Sequence, residues 1–149
     1  MSNQPKETVV KSISMADINQ ATEHPLYASQ PAAGFPAPGD DLVEKSLNIN
    51  DLLVQNESAT FFVRVSGDSM EGAKIFDNDI LVVDRSVTPK DGHIVVAAVY
   101  GEMVVKRLKM ISGAMVLVSE QVGYEPIAVN EMEDCYIWGV VTGSARTLL

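Results

Sequence analysis

The apolar positions of this chain fall into two regimes. From about residue 60 onward, short runs rich in Val, Ile and aromatic residues occupy residues 61–65, 80–84, 94–100, 103–110, 114–119 and 136–142. β-Branched and aromatic side chains suit a pleated, half-buried surface, so each run predicts a strand. Turn sequences separate the runs: SGDS, DND, TPKDGH, YGE and ISGA. Short strands at this spacing predict a compact, mostly antiparallel β domain. The stretch HIVVAAVYGEMVVKRLKM reads as strand, tight turn, strand, the clearest hairpin in the chain. Ahead of the strands, SLNINDLLVQNES predicts one short helix over residues 51–55, with Asn50 as its N-cap.

Residues 1–33 follow another pattern. They are polar, carry Pro5, Pro25 and Pro31, and hold few large apolar side chains. They read as a flexible or loosely docked arm ahead of a β domain spanning residues 34–149. At the junction, QPAAGFPAPGDD, Pro31, Gly34, Pro36, Pro38 and Gly39 exclude a helix. The segment is expected to be extended, with exposed peptide bonds and small residues at its centre. A plain linker would look the same.

Composition narrows the function. A 46% hydrophobic fraction over 149 residues suffices for one domain with a sizeable core. The formal charge of −9 repels phosphate backbones and argues against strong direct DNA binding. The one cysteine, Cys135, can form no internal disulfide and sits in an apolar run, where it reads as a small buried hydrophobe. No CxxC or HxxxH spacing suggests a metal site, and no cofactor is expected. No apolar run approaches the roughly 20 residues of a membrane span, and the first residues lack a signal-peptide core. A cytoplasmic protein without a membrane partner is the expectation.

The candidate chemistry lies in FFVRVSGDSMEG, where a strand runs into a turn carrying Ser66 and Ser69. Serine, glycine and aspartate are ordinary turn residues. A nucleophilic serine needs a base, and the only histidines are His24 and His93. A nucleophile elbow fails because Glu71 stands where its last glycine belongs. GDSM is similar to the GDSL esterase motif, which needs a C-terminal histidine that is missing here. The alternation of MVVKRLKM offers a different base. Val104, Lys106 and Leu108 share one face, and Val105, Arg107 and Lys109 share the other, which reads as solvated. A lysine between Val and Leu on an inward face must snorkel, pair with an acid, or lose its proton. In the last case it could take a proton from serine, as in Ser-Lys variants of the serine nucleophile.

Taken together, these features resemble the UmuD family of SOS mutagenesis proteins, related to the self-cleaving domains of LexA-type repressors. AAGFPAPGDD resembles the family's cleavage site, SATFFVRVSGDSM its nucleophile segment, and DNDILVVDRSVTPKDGHIVVAAVYGEMVVKRL the segment leading to its lysine; IWGVVT also fits. The resemblance implies a LexA/signal-peptidase-like β domain. It implies Ser69 as nucleophile, Lys106 as general base, and the bond between Ala33 and Gly34 as the one cut. The backbone N–H groups of Asp68 and Ser69 become the oxyanion donors. It further implies stimulation by a RecA–single-stranded DNA filament, and a truncated homodimer that serves a Y-family, UmuC-like polymerase. The 33 residues ahead of the bond are too few and too polar for a repressor's helix-turn-helix domain. CYIWGVV could pair at an exposed edge in a dimer, or be an internal core strand. The rival readings are a non-catalytic β adaptor, with Ser69 a turn residue, and a protease acting on other substrates.

Overall fold

A computed structural model of the chain describes residues 6–16, 23–27, 43–129 and 134–149. Its strands are β1 (Val9–Met15), β2 (Glu23–Tyr27), β3 (Val43–Asn48), β4 (Thr60–Ser66), β5 (Ile80–Asp84), β6 (Ile94–Val99), β7 (Glu102–Ile111), β8 (Ala114–Val118), β9 (Ile127–Ala128) and β10 (Cys135–Ala145), with one helix, α1 (Ile49–Leu53). The fold is mostly β, as the alternation predicts, and its main sheet is antiparallel throughout. Strand order is β1-β4-β5-β10-β6-β7-β8-β9, and β1 also touches β7 through Val9 opposite Val104. That last contact closes six of the strands into a ring. β2 and β3 form a separate two-stranded ribbon. The connection between them, residues 28–42, contains the junction and lies outside the described residues. No helix among the described residues is long and apolar enough to cross a membrane.

Two apolar clusters hold the sheet together. One gathers Val63, Val65, Met70, Leu81, Val83, Val96 and Val105, and the other Val95, Ala97, Val104, Leu108, Leu117 and Val140. Neighbouring residues of β6 and β7 therefore go to different clusters, as a period of two requires. β6 is apolar on both faces because both are covered, so its sequence, IVVAAV, is a continuous run. Burying each such side chain contributes about 1.5–3 kcal/mol. The hairpin between β6 and β7 turns at Tyr100 and Gly101, whose φ of 48° and 82° place both central residues in the left-handed region. That geometry matches the twist of the flanking strands.

Two expectations need correction. The helix starts two residues early, because Asn48 rather than Asn50 is its N-cap: the Asn48 side chain accepts from Asn50 N–H. The second face of β7 is not wholly solvated. Val105 is fully buried in the first cluster, while Arg107 is half-buried and Lys109 exposed. CYIWGVV divides between its two readings: Val140 pairs with β5 on one side and β6 on the other, whereas Cys135, Tyr136, Ile137 and Gly139 pair with β6 alone. Cys135 is buried there, and burial raises its thiol pKa, so it behaves as a packing residue.

Residues 6–16 of the arm dock more closely than their polarity suggests. β1 pairs with β4 from Val9 opposite Ser66 to Met15 opposite Phe61, with an irregularity at Lys11. Its side chains past Val10 are exposed. Val9 and Val10 pack against the two clusters, but past them backbone pairing holds this strand, and backbone pairing leaves no apolar pattern to read.

Candidate active site

The turn that carries Ser69 follows β4 directly. Gly67 takes φ of 107°, and its N–H donates to Asp77 Oδ1 at 2.9 Å, which turns the chain sharply toward Ser69. A short helical turn over Glu71–Ala73 follows, and Met70 anchors the corner in the core. Ser69 is fully buried. Its carbonyl accepts from Glu120 N–H at 3.1 Å, which fixes the turn against the segment after β8. Arg107 pairs with Glu120 and also donates to Gly92 O at 2.6 Å, tying that segment to β7.

Lys106 sits mid-way along β7, 2% exposed, between buried Val104 and Leu108. Of the three fates open to an inward lysine, it takes pairing. Its Nζ donates to Ser119 Oγ at 2.6 Å and lies 2.7 Å from Glu7 Oε1. The Glu7 contact is a close ion pair rather than an aligned hydrogen bond, so Oε1 is buried with charge as its compensation. The Tyr124 ring stands 5.1 Å from Nζ. Burial, then the charges of Glu7 and Asp68, push the Tyr124 pKa above its usual value, so its phenol keeps its proton.

Residues 6–8 join the two halves of the site. The Lys6 carbonyl accepts from both Asp68 N–H, at 2.9 Å, and Ser69 N–H, at 3.0 Å. Ser69 Oγ accepts from Thr8 N–H at 2.9 Å and donates to Thr8 Oγ1 at 3.1 Å. The Thr8 carbonyl accepts from Val105 N–H at 3.0 Å. Ser69 and Lys106 thus both converge on this tripeptide, Ser69 through Thr8 and Lys106 through Glu7. Ser66 stays on the β4 rim, opposite Val9. Ala33 and Gly34 lie outside the described residues. Among the described residues, no group of three or more His, Cys, Asp or Glu could hold a metal ion.

Sequence reasoning did not find Glu7, Thr8 or Ser119. Ser119 ends a strand-like run, VLVSE, in a way that any surface strand can. Glu7 and Thr8 belong to a polar tail whose register on the sheet no periodicity encodes. What the arrangement offers chemically is a shielded hydroxyl, a buried amine, and two N–H groups aimed at one peptide carbonyl. That set suits attack on an extended peptide.

Known proteins resemble this chain over most of its length. The model of the family described as Peptidase S24-like matches residues 25–142. MucA of Salmonella typhimurium is 41% identical over 121 residues, covering 80% of this chain and 82% of that protein. ImpA of Escherichia coli is 39% identical over 124 residues, covering 79% and 80%. The LexA repressor of Bordetella parapertussis is 32% identical over 131 residues, covering 83% of this chain and 60% of the repressor.

Proposed function

The chain belongs to the Peptidase S24-like family of serine peptidases, in its UmuD-type branch, and from that premise we propose that it is a latent peptidase that cuts its own bond between Ala33 and Gly34. One observation carries the reading: the N–H groups of Asp68 and Ser69 converge on a single peptide carbonyl where the Ser69 hydroxyl and the Lys106 amine also meet the same tripeptide.

In the reaction, the junction lies in the cleft as an extended strand, with the Ala33 carbonyl held by the two N–H groups. Ser69 Oγ bonds to the Ala33 carbonyl carbon as its proton passes to neutral Lys106 Nζ. Negative charge builds on the carbonyl oxygen, where the paired donors stabilise it. The bond to Gly34 N then breaks, and Lys106 returns the proton to the departing amine. Water attacks the resulting ester, giving its proton to Lys106. The Ser69 oxygen leaves and is reprotonated, freeing the Ala33 carboxylate. Ser119, bonded to Nζ, orients the amine through these transfers.

Family membership extends the proposal. A RecA–single-stranded DNA filament stimulates the cut as part of the SOS response. The fragment of residues 34–149 acts in the cytoplasm as a homodimer, serving a Y-family, UmuC-like polymerase in translesion synthesis. The dimer part rests on family membership.

The test is intact mass after incubation with RecA, single-stranded DNA and a nucleotide. Wild type should yield a fragment beginning Gly34-Phe35-Pro36, and Ser69→Ala should stay whole. Wild type unchanged in mass would favour the non-catalytic adaptor. A fragment with another first residue would remove Ala33 from the mechanism.

A further inference from the structure

The cleft of this protein is already filled, and the occupant is the chain itself. Lys6 places its carbonyl between the two N–H donors that a reacting carbonyl would need. Its own N–H donates to Asp68 Oδ1 at 2.5 Å. Thr8 engages the Ser69 hydroxyl as both donor and acceptor and pairs its carbonyl with Val105 of β7. Beyond it, Val9 begins β1. The fit depends on the missing side chain at residue 67. A Cβ there would come 2.1 Å from the Glu7 carbonyl oxygen and 2.6 Å from its carbon. The nucleophile turn is therefore shaped around a peptide backbone lying on Gly67.

We propose that residues 6–9 are an internal inhibitory peptide, bound in the register of a substrate and held there by Glu7 neutralising Lys106. The inference rests on the reading of Ser69 and Lys106 as the reacting pair. Docking in this register disables both. The hydroxyl proton of Ser69 points to Thr8 Oγ1, and the contacts of Lys106 Nζ run to Ser119 and to the Glu7 carboxylate. An amine whose contacts run to a carboxylate and a hydroxyl is engaged away from the Ser69 hydroxyl, from which it would have to take the proton.

The register also separates inhibitor from substrate. If the Lys6 carbonyl marks the reacting position, Glu7 stands where Gly34 stands in the proposed scissile pair. Glycine has no side chain with which to neutralise Lys106, so the junction leaves the base free and residues 6–9 do not. The class of ligand that blocks the cleft is then an extended peptide with a carboxylate one residue past the captured carbonyl. A cavity of about 650 Å³ opens beside the docked segment, lined in part by Lys6, Glu7, Gly67 and Asp68, so an incoming peptide has room to displace it.

The experiment compares full-length wild type with Glu7→Gln, which keeps the shape and removes the charge, and with Ser69→Ala/Glu7→Gln. Two readouts are taken at neutral pH without RecA: cleavage by intact mass, and amide hydrogen exchange at Asp68, Ser69 and Val105. Glu7→Gln should cleave after Ala33 about tenfold faster or more, and its three amides should exchange faster by a similar factor, because the docked population falls. Adding a synthetic peptide of residues 4–12 in trans should slow the Glu7→Gln reaction. Unchanged cleavage in Glu7→Gln, with or without faster exchange, overturns the inhibitor while a Ser69-dependent wild-type reaction with RecA keeps the peptidase reading. A product beginning at Glu7 also overturns it, since the segment would then be a substrate. Cleavage by the double variant would defeat the serine reading instead. So would the lack of any cleavage with RecA, and the inhibitor falls with it.

Discussion

Among the described strand residues, Asp84 and Lys106 are buried charges of opposite sign, and the sheet treats them differently. Asp84 ends β5 at 3% exposure, and Lys106 lies in β7 at 2%. Asp84 is met by Asn56 Nδ2 at 3.0 Å, Ser86 N–H at 2.8 Å and Ser86 Oγ at 2.6 Å. Burial alone would raise its pKa, but these hydrogen bonds, with one from the Val87 backbone, outweigh burial and bring it below the usual carboxylate value. Every partner belongs to the body of the domain. Lys106 has Ser119 from the body, but its counter-charge, Glu7, comes from the arm. A charge satisfied by permanent neighbours is part of the scaffold. One satisfied by a separate segment would become reactive if that segment left, as the proposed inhibitor requires.

Four experiments press on this contrast. The largest effect belongs to Lys106. Lys106→Ala and Lys106→Arg should each lower self-cleavage by at least about a hundredfold, since one lacks a base and the other stays protonated. Product fraction against time measures it, and an active arginine variant would end the role of lysine as base. Stability should show the reverse order. Asp84→Ala should lower unfolding stability by about 2–3 kcal/mol, because its donors stay buried without an acceptor. Lys106→Met should cost under about 1 kcal/mol, because Met suits the apolar face and Glu7 can swing into water. Urea midpoints decide, and equal losses would erase the distinction.

A subtler effect concerns acid. The folded-state pKa of Asp84 is depressed, so its contribution is complete above the unfolded value, near 3.8, and is lost as pH falls through the lower folded value. Wild type should therefore lose stability below about pH 4 more steeply than Asp84→Asn. Parallel acid limbs in urea titrations would remove Asp84 from the account. The smallest effect is Lys109→Ala. Position 109 is exposed on the opposite side of β7, so cleavage should be unchanged and stability should shift by less than about 0.5 kcal/mol. A slowed reaction would mean that strand alternation misassigned the base.

Much of this contrast is legible in sequence, and the illegible part has a common cause. β4, β5, β6, β7, β8 and β10, the hairpin at Tyr100 and Gly101, and the inward placement of Lys106 all follow from alternation along single segments. Val105 escaped because both faces of β7 are covered near its middle, which the charges of Arg107 and Lys109 concealed. Asn48 and Asn50 are chemically equivalent caps, and the choice depends on where the preceding strand ends. Glu7, Thr8 and Ser119 come from segments far from Ser69 and Lys106 in the chain. Their contacts depend on tertiary register, which leaves no local pattern.

β1 is one stave of the closed ring, yet it belongs to the arm that self-cleavage would sever. While the chain is whole, the stave is tethered to its slot, and short tethers hold an attached ligand at an effective concentration of order millimolar. After a cut behind Ala33 the same contacts face dilution at the protein's true concentration. Dissociation of the stave would leave β4 with an open backbone edge, available to a strand from another chain. The cut would then be one-way for a reason separate from peptide-bond chemistry: what is lost is proximity, and with it the ring's closure.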